Sequence, residues 1–216
     1  MAYDRKANEA NAKLALSLLG DDLSWFRLDD GVMGGRSETL HGNESGKLHF
    51  TGTINTDGGG FCSIRARIPK GVLEKSTNKA TGDESHDKSC SSRTKGIRLT
   101  LRGDGKTYKL LLSDGERSAG GPTSRSPSWQ VDIPTKKNKR ETITVPVDAF
   151  QPAFGGRPSS RPSKEDMAKF RLDLAAIQEI GLMLSLRLSD GSPNPKETFG
   201  EGIFPFSLLV ESIEIV

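Results

Sequence analysis

The chain has 216 residues, a net charge of +3 and a hydrophobic fraction of 33%, with 24 glycines and 11 prolines. This length fits one sizeable domain, and this composition is typical of a turn-rich protein rather than a helical bundle. No apolar run reaches the ~20 residues that a membrane-spanning helix needs, so we do not expect this chain to be an integral membrane protein.

The first residues carry a helical pattern. Over residues 3–19, apolar side chains recur at spacings of three and four, which places them on one stripe of a helix that Gly20 ends. We therefore expect a short N-terminal helical extension over 1–23, followed by one domain over 24–216. The segment makes a weak mitochondrial presequence, and it has no signal-peptide hydrophobic region.

After Trp25 the pattern changes to the alternation of β-strands, with Gly, Pro or Asp-Gly turns between the strands. Eight or nine such strands without intervening long helices predict an all-β, antiparallel sandwich. A second short helix is a candidate at Lys164–Ile177, where "LDLAAIQ" could also form a turn of its own. The predicted strands centre on Leu48/Phe50/Ile54, Cys62/Ile64/Ala66/Ile68, Ile97/Leu99/Leu101, Tyr108/Leu110/Leu112, Trp129/Val131/Ile133, Ile143/Val145/Val147, Ile180/Leu182/Leu184/Leu186/Leu188 and Phe206/Leu208/Val210.

Two segments and two cysteines fall outside this pattern. Residues 74–95 are almost devoid of apolar side chains and predict a mobile polar insert, whereas residues 154–164 predict a shorter ordered crossover. Cys62 lies in an apolar alternation and Cys90 in the polar insert. CxxC spacing is missing, so we expect two free thiols, the first in the core and the second exposed.

Positive charge is concentrated between Ser91 and Val145, a segment that contains twelve Lys/Arg and only five Asp/Glu. Such a surface could meet nucleic acid, an acidic protein or anionic lipid. The cations alternate with apolar residues, as on the solvated side of strands, and no aromatic residues are interleaved for base stacking. We therefore expect no nucleic-acid binding.

The stretch "RLDDGVMGGRSETL" (27–40) is the most distinctive in the chain. It lacks the lysine and the spacing of a P-loop, and the strand-to-helix context of a dinucleotide fingerprint. Asp29 and Asp30 could contribute to a calcium site, but two carboxylates are few for this ion, and capping of a turn is the more common role. His41, His49 and His86 have no convincing catalytic neighbour, so we expect no enzyme, metal or cofactor.

Six motifs together resemble the complex I intermediate-associated protein family. They are "WFRLDDGVMGGRS" (25–37), "LHFTGTINTDGGGFCSIRA" (48–66), "GIRLTLRGDGKTYKLLL" (96–112), Trp129 with "PVDAFQPAFGGR" (146–157), "IGLMLS" (180–185) and "GIFPFSLLVESIEIV" (202–216). The resemblance implies a galactose-binding-like jelly roll. It also implies a protein-binding assembly factor of NADH:ubiquinone oxidoreductase, with relatives in photosynthetic organisms and no assigned catalysis.

The family signature falls on a set of residues that we interpret mostly as structural. We expect the glycines to allow close approach or positive φ, Met33 and Phe61 to plug the end of the sandwich, and Asp30 and Ser37 to satisfy backbone donors. Arg36 in the same loop is a candidate for contact with a partner. The signature residues are Trp25, Asp30, Gly31, Met33, Gly34, Gly35, Ser37, Gly59, Gly60, Phe61, Tyr108, Trp129 and Phe150.

A basic docking face is a separate hypothesis, which depends on the strands involved being neighbours. Its residues are Arg65, Arg67, Arg98, Arg102 and Lys109.

Three functions follow in order of support. The first is a non-catalytic, chaperone-like protein that binds subunits or assembly intermediates of a respiratory or photosynthetic membrane complex. The resemblance suggests a mitochondrial location, with cytoplasm and plastid as alternatives. The second is a carbohydrate-binding module, which the scarcity of Trp and Tyr disfavours unless Trp129 or Tyr108 is exposed. The third is a cryptic enzyme that uses the loop at 27–40.

Overall fold

The computed structural model describes residues 16–17, 19, 23–69, 96–115, 127–154, 165 and 170–216. In these residues the chain forms twelve strands, which pair antiparallel in two sheets. The strands are β1 (Leu16–Ser17), β2 (Trp25–Arg27), β3 (Glu38–Glu44), β4 (Lys47–Asn55), β5 (Phe61–Arg67), β6 (Gly96–Arg102), β7 (Thr107–Ser113), β8 (Ser128–Pro134), β9 (Arg140–Pro146), β10 (Gln151–Ala153), β11 (Glu179–Ser185) and β12 (Ile203–Ile215).

The order of the strands confirms the predicted antiparallel sandwich. Sheet 1 has the order β3-β4-β12-β6-β9, with β1 also paired to β12, and sheet 2 has the order β10-β8-β7-β11-β5-β2. Neighbours in each sheet are often distant in sequence, which is characteristic of jelly-roll topologies. The final strand, β12, pairs with β4 through its first half and with β6 through its second half.

The apolar alternations face one another between the two sheets. Phe50, Tyr108 and Phe206 pack together with ring centroids 4.9 to 6.4 Å apart. The predicted core position of Cys62 is confirmed, because its side chain is fully buried. The strand predicted from Ile180 to Leu188 is too long, since β11 ends at Ser185 and Leu186 is 39% exposed.

The prediction of a helix over residues 3–19 is wrong at its end. Leu16 and Ser17 form β1 and pair with Ile215 and Glu214 of β12. Because β4 covers β12 only as far as Val210 on that side, the backbone of Ile215 and Glu214 is available for this short strand. Residues 3–15 lie outside the described part of the chain.

Helical structure elsewhere is short. Leu174–Ala176 form a 3-10 turn in which the Asp173 side chain accepts a hydrogen bond from the Ala175 N–H, in agreement with the predicted turn in "LDLAAIQ". A single helical turn, α1, spans Lys196–Phe199. The polar insert at 74–95 and the crossover at 155–164 lie outside the described residues. Within the described part of the chain, no helix has the length and apolarity to cross a membrane.

Several connections meet at one end of the sandwich, which we call the signature end. They are residues 28–37, 56–60, 103–106, 135–139 and 186–202, and the strand pairings place all of them beyond the same ends of the two sheets. Hydrogen bonds join neighbours around this end, such as Thr56 N–H to Gly202 C=O at 3.0 Å and Leu186 N–H to Gly60 C=O at 3.0 Å.

Candidate functional site

The carboxylate of Asp30 organises the connection between β2 and β3, which we call the signature loop (residues 28–37). Asp30 is fully buried. Its Oδ1 accepts a hydrogen bond from the Ser37 N–H at 2.9 Å, and its Oδ2 accepts one from the Ser37 hydroxyl at 2.6 Å. Oδ2 also accepts from the N–H groups of Gly60 at 2.6 Å and Phe61 at 3.3 Å. One side chain therefore joins the signature loop to the turn before β5.

These hydrogen bonds also keep Asp30 ionised. Burial alone raises the pKa of a carboxyl, because the charge loses its hydration. Here the donors from Ser37, Gly60 and Phe61 outweigh burial and lower the pKa of Asp30 below its ordinary value. A general acid or base works best with a pKa near the operating pH. The environment of Asp30 therefore favours a structural role over acid–base chemistry.

Glycines surround the carboxylate because a larger residue would not fit. A Cβ at Gly35 would lie 2.3 Å from Asp30 Cγ, and one at Gly59 would lie 2.3 Å from Asp30 Oδ2. Gly34 has a φ of 89° and caps the 3-10 turn Asp30–Met33. The close approach at Gly35 and Gly59 and the positive φ of Gly34 are the roles that the sequence suggested for these glycines. Gly31 is the exception, since a Cβ there would meet nothing within 4 Å.

Asn55, beside this network, is not among the site residues that the sequence predicts. The Asn55 N–H donates to the Ser37 hydroxyl at 3.0 Å, and the Asn55 side chain accepts from the Asp57 N–H at 2.9 Å. The polar Asn55 at the end of an otherwise alternating strand was the only signal for this role. It extends the hydrogen bonding of Asp30 into the turn at 56–60.

Asp29 forms a second, smaller set of hydrogen bonds. Its Oδ2 accepts from the Thr39 N–H at 2.9 Å, and its Oδ1 accepts from the Thr39 hydroxyl and, at 3.4 Å, from the Ser63 N–H. The two carboxylates therefore have separate donors, although both reach β5, Asp30 at Phe61 and Asp29 at Ser63. The predicted turn capping is not seen, since Asp29 makes no side-chain hydrogen bond to the 3-10 turn that follows it and Asp30 accepts from residues seven or more positions away.

The apolar tip of the signature loop faces solvent, which corrects one expectation. Val32 is 71% exposed and Met33 is 70% exposed, so Met33 does not plug the end of the sandwich. The cause is the 3-10 turn, which buries Asp30 and turns the next residues outwards. Phe61 is half-buried. Arg36 is exposed, and among the described residues no hydrogen bond or ion pair holds its guanidinium.

The two tryptophans of the signature face inwards as expected. Trp25 is half-buried against the core. Trp129 is 3% exposed and donates through Nε1 to Asp114 Oδ1 at 3.0 Å. Tyr108 is fully buried and donates its hydroxyl to Asp104 Oδ1 at 2.9 Å.

The residues of the hypothetical basic docking face are not brought together. Arg98 and Arg102 lie on β6 in sheet 1, whereas the other three lie on β5 and β7 in sheet 2, with β11 between those strands. Arg65 is buried and pairs with Glu179 at 2.8 Å. Lys109 is also buried, which lowers its pKa, and donates to Gln130 Oε1 at 3.2 Å. The condition of neighbouring strands is therefore not met.

The described histidines occupy positions without a catalytic partner set. His41 is exposed, with Nε2 3.1 Å from the Trp25 carbonyl oxygen, and His49 lies on the outer side of β4. In the ranges that the structure describes, no group of three or more His, Cys, Asp or Glu is placed to hold a metal ion.

A sugar-stacking platform is not formed by the described aromatic residues. Trp129 and Tyr108, whose exposure would favour a carbohydrate site, are both buried. Phe26, 42% exposed, is the one large aromatic residue of the described ranges that is exposed. Carbohydrate modules stack sugars on exposed aromatic rings, so the geometry gives this alternative little support.

Comparison with known proteins gives a family and a fold. The family model described as "Complex I intermediate-associated protein 30 (CIA30)" matches residues 17–210. The family 11 carbohydrate-binding module of the cellulosomal cellulase Lic26A-Cel5E of Clostridium thermocellum is similar in structure, with a TM-score of 0.51 and 15% identity over 94% of each chain. The solution structure of CtCBM11 gives a TM-score of 0.46 and 15% identity over 91% of this chain and 89% of that one. No curated protein sequence matches the chain.

Proposed function

Because the chain belongs to the complex I intermediate-associated protein 30 family, we propose that it is a non-catalytic assembly factor that binds subunits or intermediates of mitochondrial complex I. The family supports a role related to complex I assembly. The likeness to a carbohydrate-binding module is a likeness of fold at 15% identity, and it assigns no ligand to this chain.

The observation that carries the proposal is the construction of the signature loop. Its aspartates and Ser37 form hydrogen bonds inside the protein, whereas its apolar residues Val32 and Met33 are exposed. Methionine is enriched in protein interfaces, and a contact that is ordered before binding loses less entropy on association. A locked loop with an apolar tip is therefore suited to insertion into a pocket of a partner protein.

The test is affinity capture from cells that contain complex I, followed by mass spectrometry of complex I subunits. We expect the wild-type protein to recover such subunits and the double variant Val32→Ser/Met33→Ser to lose at least tenfold of this recovery, since central apolar contacts dominate interface energies. Leu40→Ser is the matched control, because Leu40 is 61% exposed on β3, outside the loop.

The variant Arg36→Ala tests whether the positive charge of the loop contributes to binding independently of the apolar tip. Because Arg36 is exposed and its guanidinium forms no hydrogen bond or ion pair with the described residues, a loss of capture by this variant would assign it to the partner contact. Failure of the wild-type protein to recover complex I subunits would overturn the proposed function. Full recovery by the double variant would overturn the assignment of the signature loop.

A further inference from the structure

The β6–β7 and β8–β9 turns form one rigid unit at the signature end, which we call the twin-turn tip (residues 102–106 and 135–140). The Asn138 N–H donates to the Gly103 carbonyl at 2.8 Å. The Gly105 N–H donates to Thr135 Oγ1 at 3.2 Å, and the Thr135 hydroxyl donates to the Lys106 carbonyl at 2.9 Å. Hydrogen bonds that cross between the turns fix their relative position.

The twin-turn tip is strongly cationic. Its only acidic residue, Asp104, is engaged within the protein: Oδ1 accepts from the Tyr108 hydroxyl, and Oδ2 accepts from the Ser207 N–H at 3.0 Å and lies 3.8 Å from Lys106 Nζ. Against this one carboxylate the tip carries six cations: Arg102, Lys106, Lys136, Lys137, Lys139 and Arg140.

Acidic neighbours compensate for part of this charge. Lys136 Nζ lies 3.5 Å from Glu141, and Arg140 Nε lies 2.7 Å from Glu211. Lys137 and Lys139 are exposed and have no ion pair among the described residues. Even Lys136 and Arg140 keep side chains that are 69% and 58% exposed. The tip therefore presents a net positive charge to an external partner.

The chemistry of the tip favours a lipid surface over a nucleic acid or an acidic protein. Four of its six cations are lysines, which act as hydrated point charges, whereas bidentate recognition of a specific carboxylate or phosphate uses arginine. The tip has no aromatic residue for base stacking. At the same end of the sandwich, Ile203 is 72% exposed and precedes Phe204, whose ring centroid lies 5.2 Å from Lys106 Nζ. Basic residues next to a projecting apolar side chain are typical of interfacial membrane contacts.

We propose that the twin-turn tip binds the surface of an anionic bilayer, with its lysines against the lipid headgroups and Ile203 at the headgroup–acyl boundary. This contact is independent of the proposed function, because it requires no partner protein. It lies at the same end as the signature loop, so a protein bound in this way would keep Val32 and Met33 close to the membrane surface.

The test is flotation of the purified chain with lipid vesicles. We expect binding to vesicles of phosphatidylcholine and phosphatidylglycerol in a two-to-one mixture, weak or no binding to phosphatidylcholine alone, and a decrease as salt rises. The variant Lys136→Gln/Lys137→Gln/Lys139→Gln should partition about a hundredfold more weakly, since each surface lysine contributes about a fivefold factor. Ile203→Ser should weaken binding several-fold, and this loss should persist at high salt.

A matched control removes the same charge elsewhere. Lys47, Arg67 and Arg98 are exposed and lie towards the opposite end of the sandwich. The variant Lys47→Gln/Arg67→Gln/Arg98→Gln should bind vesicles nearly as well as the wild-type protein. Equal losses in the two triple variants would overturn the proposal, because only net charge would then matter. Binding to polyglutamate or to an oligonucleotide without binding to anionic vesicles would overturn it as well.

Discussion

The signature loop and the twin-turn tip lie at the same end of the sandwich and arrange their charges in opposite ways. In the signature loop the ionised group, Asp30, is buried, and the apolar side chains of Val32 and Met33 are exposed. In the twin-turn tip five of the six cations are exposed, Lys106 being half-buried, and the hydrogen bonds that hold the turns use neutral groups of Gly103, Thr135 and backbone amides.

This difference shows what a loop requires when its charged group is buried and its apolar side chains are exposed. A buried charge is costly unless hydrogen bonds replace its hydration, and Asp30 has four such donors. An ordinary turn with charged residues outside requires no comparable network. Substitutions should therefore change stability most at Asp30 and its close neighbours and least at exposed positions of the loop and the tip.

Replacement of Asp30 should have the largest effect. Asp30→Ala leaves the N–H groups of Ser37 and Gly60 buried without their acceptor, which predicts a loss of about 3 kcal/mol in the free energy of unfolding. Urea denaturation measures this loss. Lys137→Ala in the twin-turn tip is the comparison and should change the same free energy by less than about 0.5 kcal/mol. Similar losses for the two variants would mean that the buried charge of the signature loop matters no more for stability than an exposed charge of the twin-turn tip.

Gly35→Ala should have the next largest effect. The added Cβ would lie 2.3 Å from Asp30 Cγ, and such overpacking costs about 1–3 kcal/mol of stability. Gly31→Ala is the matched control in the same loop, since its Cβ would meet nothing within 4 Å. The melting temperature should fall for Gly35→Ala and stay nearly constant for Gly31→Ala. Equal shifts would mean that the loop accommodates the methyl group.

The pH dependence of stability should reveal the charge of Asp30. Its pKa in the folded protein is below the ordinary value of 3.8, so the unfolded chain binds more protons in this range. The stabilisation is therefore complete above pH 3.8 and is lost as the pH falls through the lower folded-state pKa. Urea denaturation at several acidic pH values should show this loss in the wild-type protein. In Asp30→Asn this contribution should vanish, while other carboxyls contribute equally to both curves.

Met33→Ser should have the smallest effect on stability. Because Met33 is 70% exposed, we expect a change of less than about 0.5 kcal/mol in the free energy of unfolding. A larger loss would indicate that the Met33 side chain packs at the end of the sandwich, as the sequence suggested. Thermal denaturation of the variant beside Asp30→Ala distinguishes these outcomes.

The sequence predicted the sandwich because alternation reports which face of each strand is buried. Residues such as Leu48, Phe50 and Ile54 follow this rule directly. The prediction failed at the end of the N-terminal segment. Spacings of three and four over residues 3–19 do not reveal that Leu16 and Ser17 can pair with the free edge of β12. That edge is a property of the tertiary fold.

The candidate site was predictable in its polar part and not in its apolar part. A signature of aspartate, glycines and serine suggested a hydrogen-bonded loop, and the contacts of Asp30 agree. The direction of Met33 depends on the 3-10 turn and on the φ of Gly34, which residue types alone do not specify. Likewise, the distribution of Arg65 and Arg98 over two sheets follows from long-range strand order.

Photo-crosslinking in cells reports whether the signature loop holds its apolar tip against a partner protein. A benzoylphenylalanine placed at Met33 should form an adduct with a complex I subunit in cells that assemble the complex, whereas the same group at Leu40 should not. Adducts from Leu40 alone, or no adduct from Met33 while the protein still co-purifies with complex I subunits, would contradict a partner contact through the signature loop.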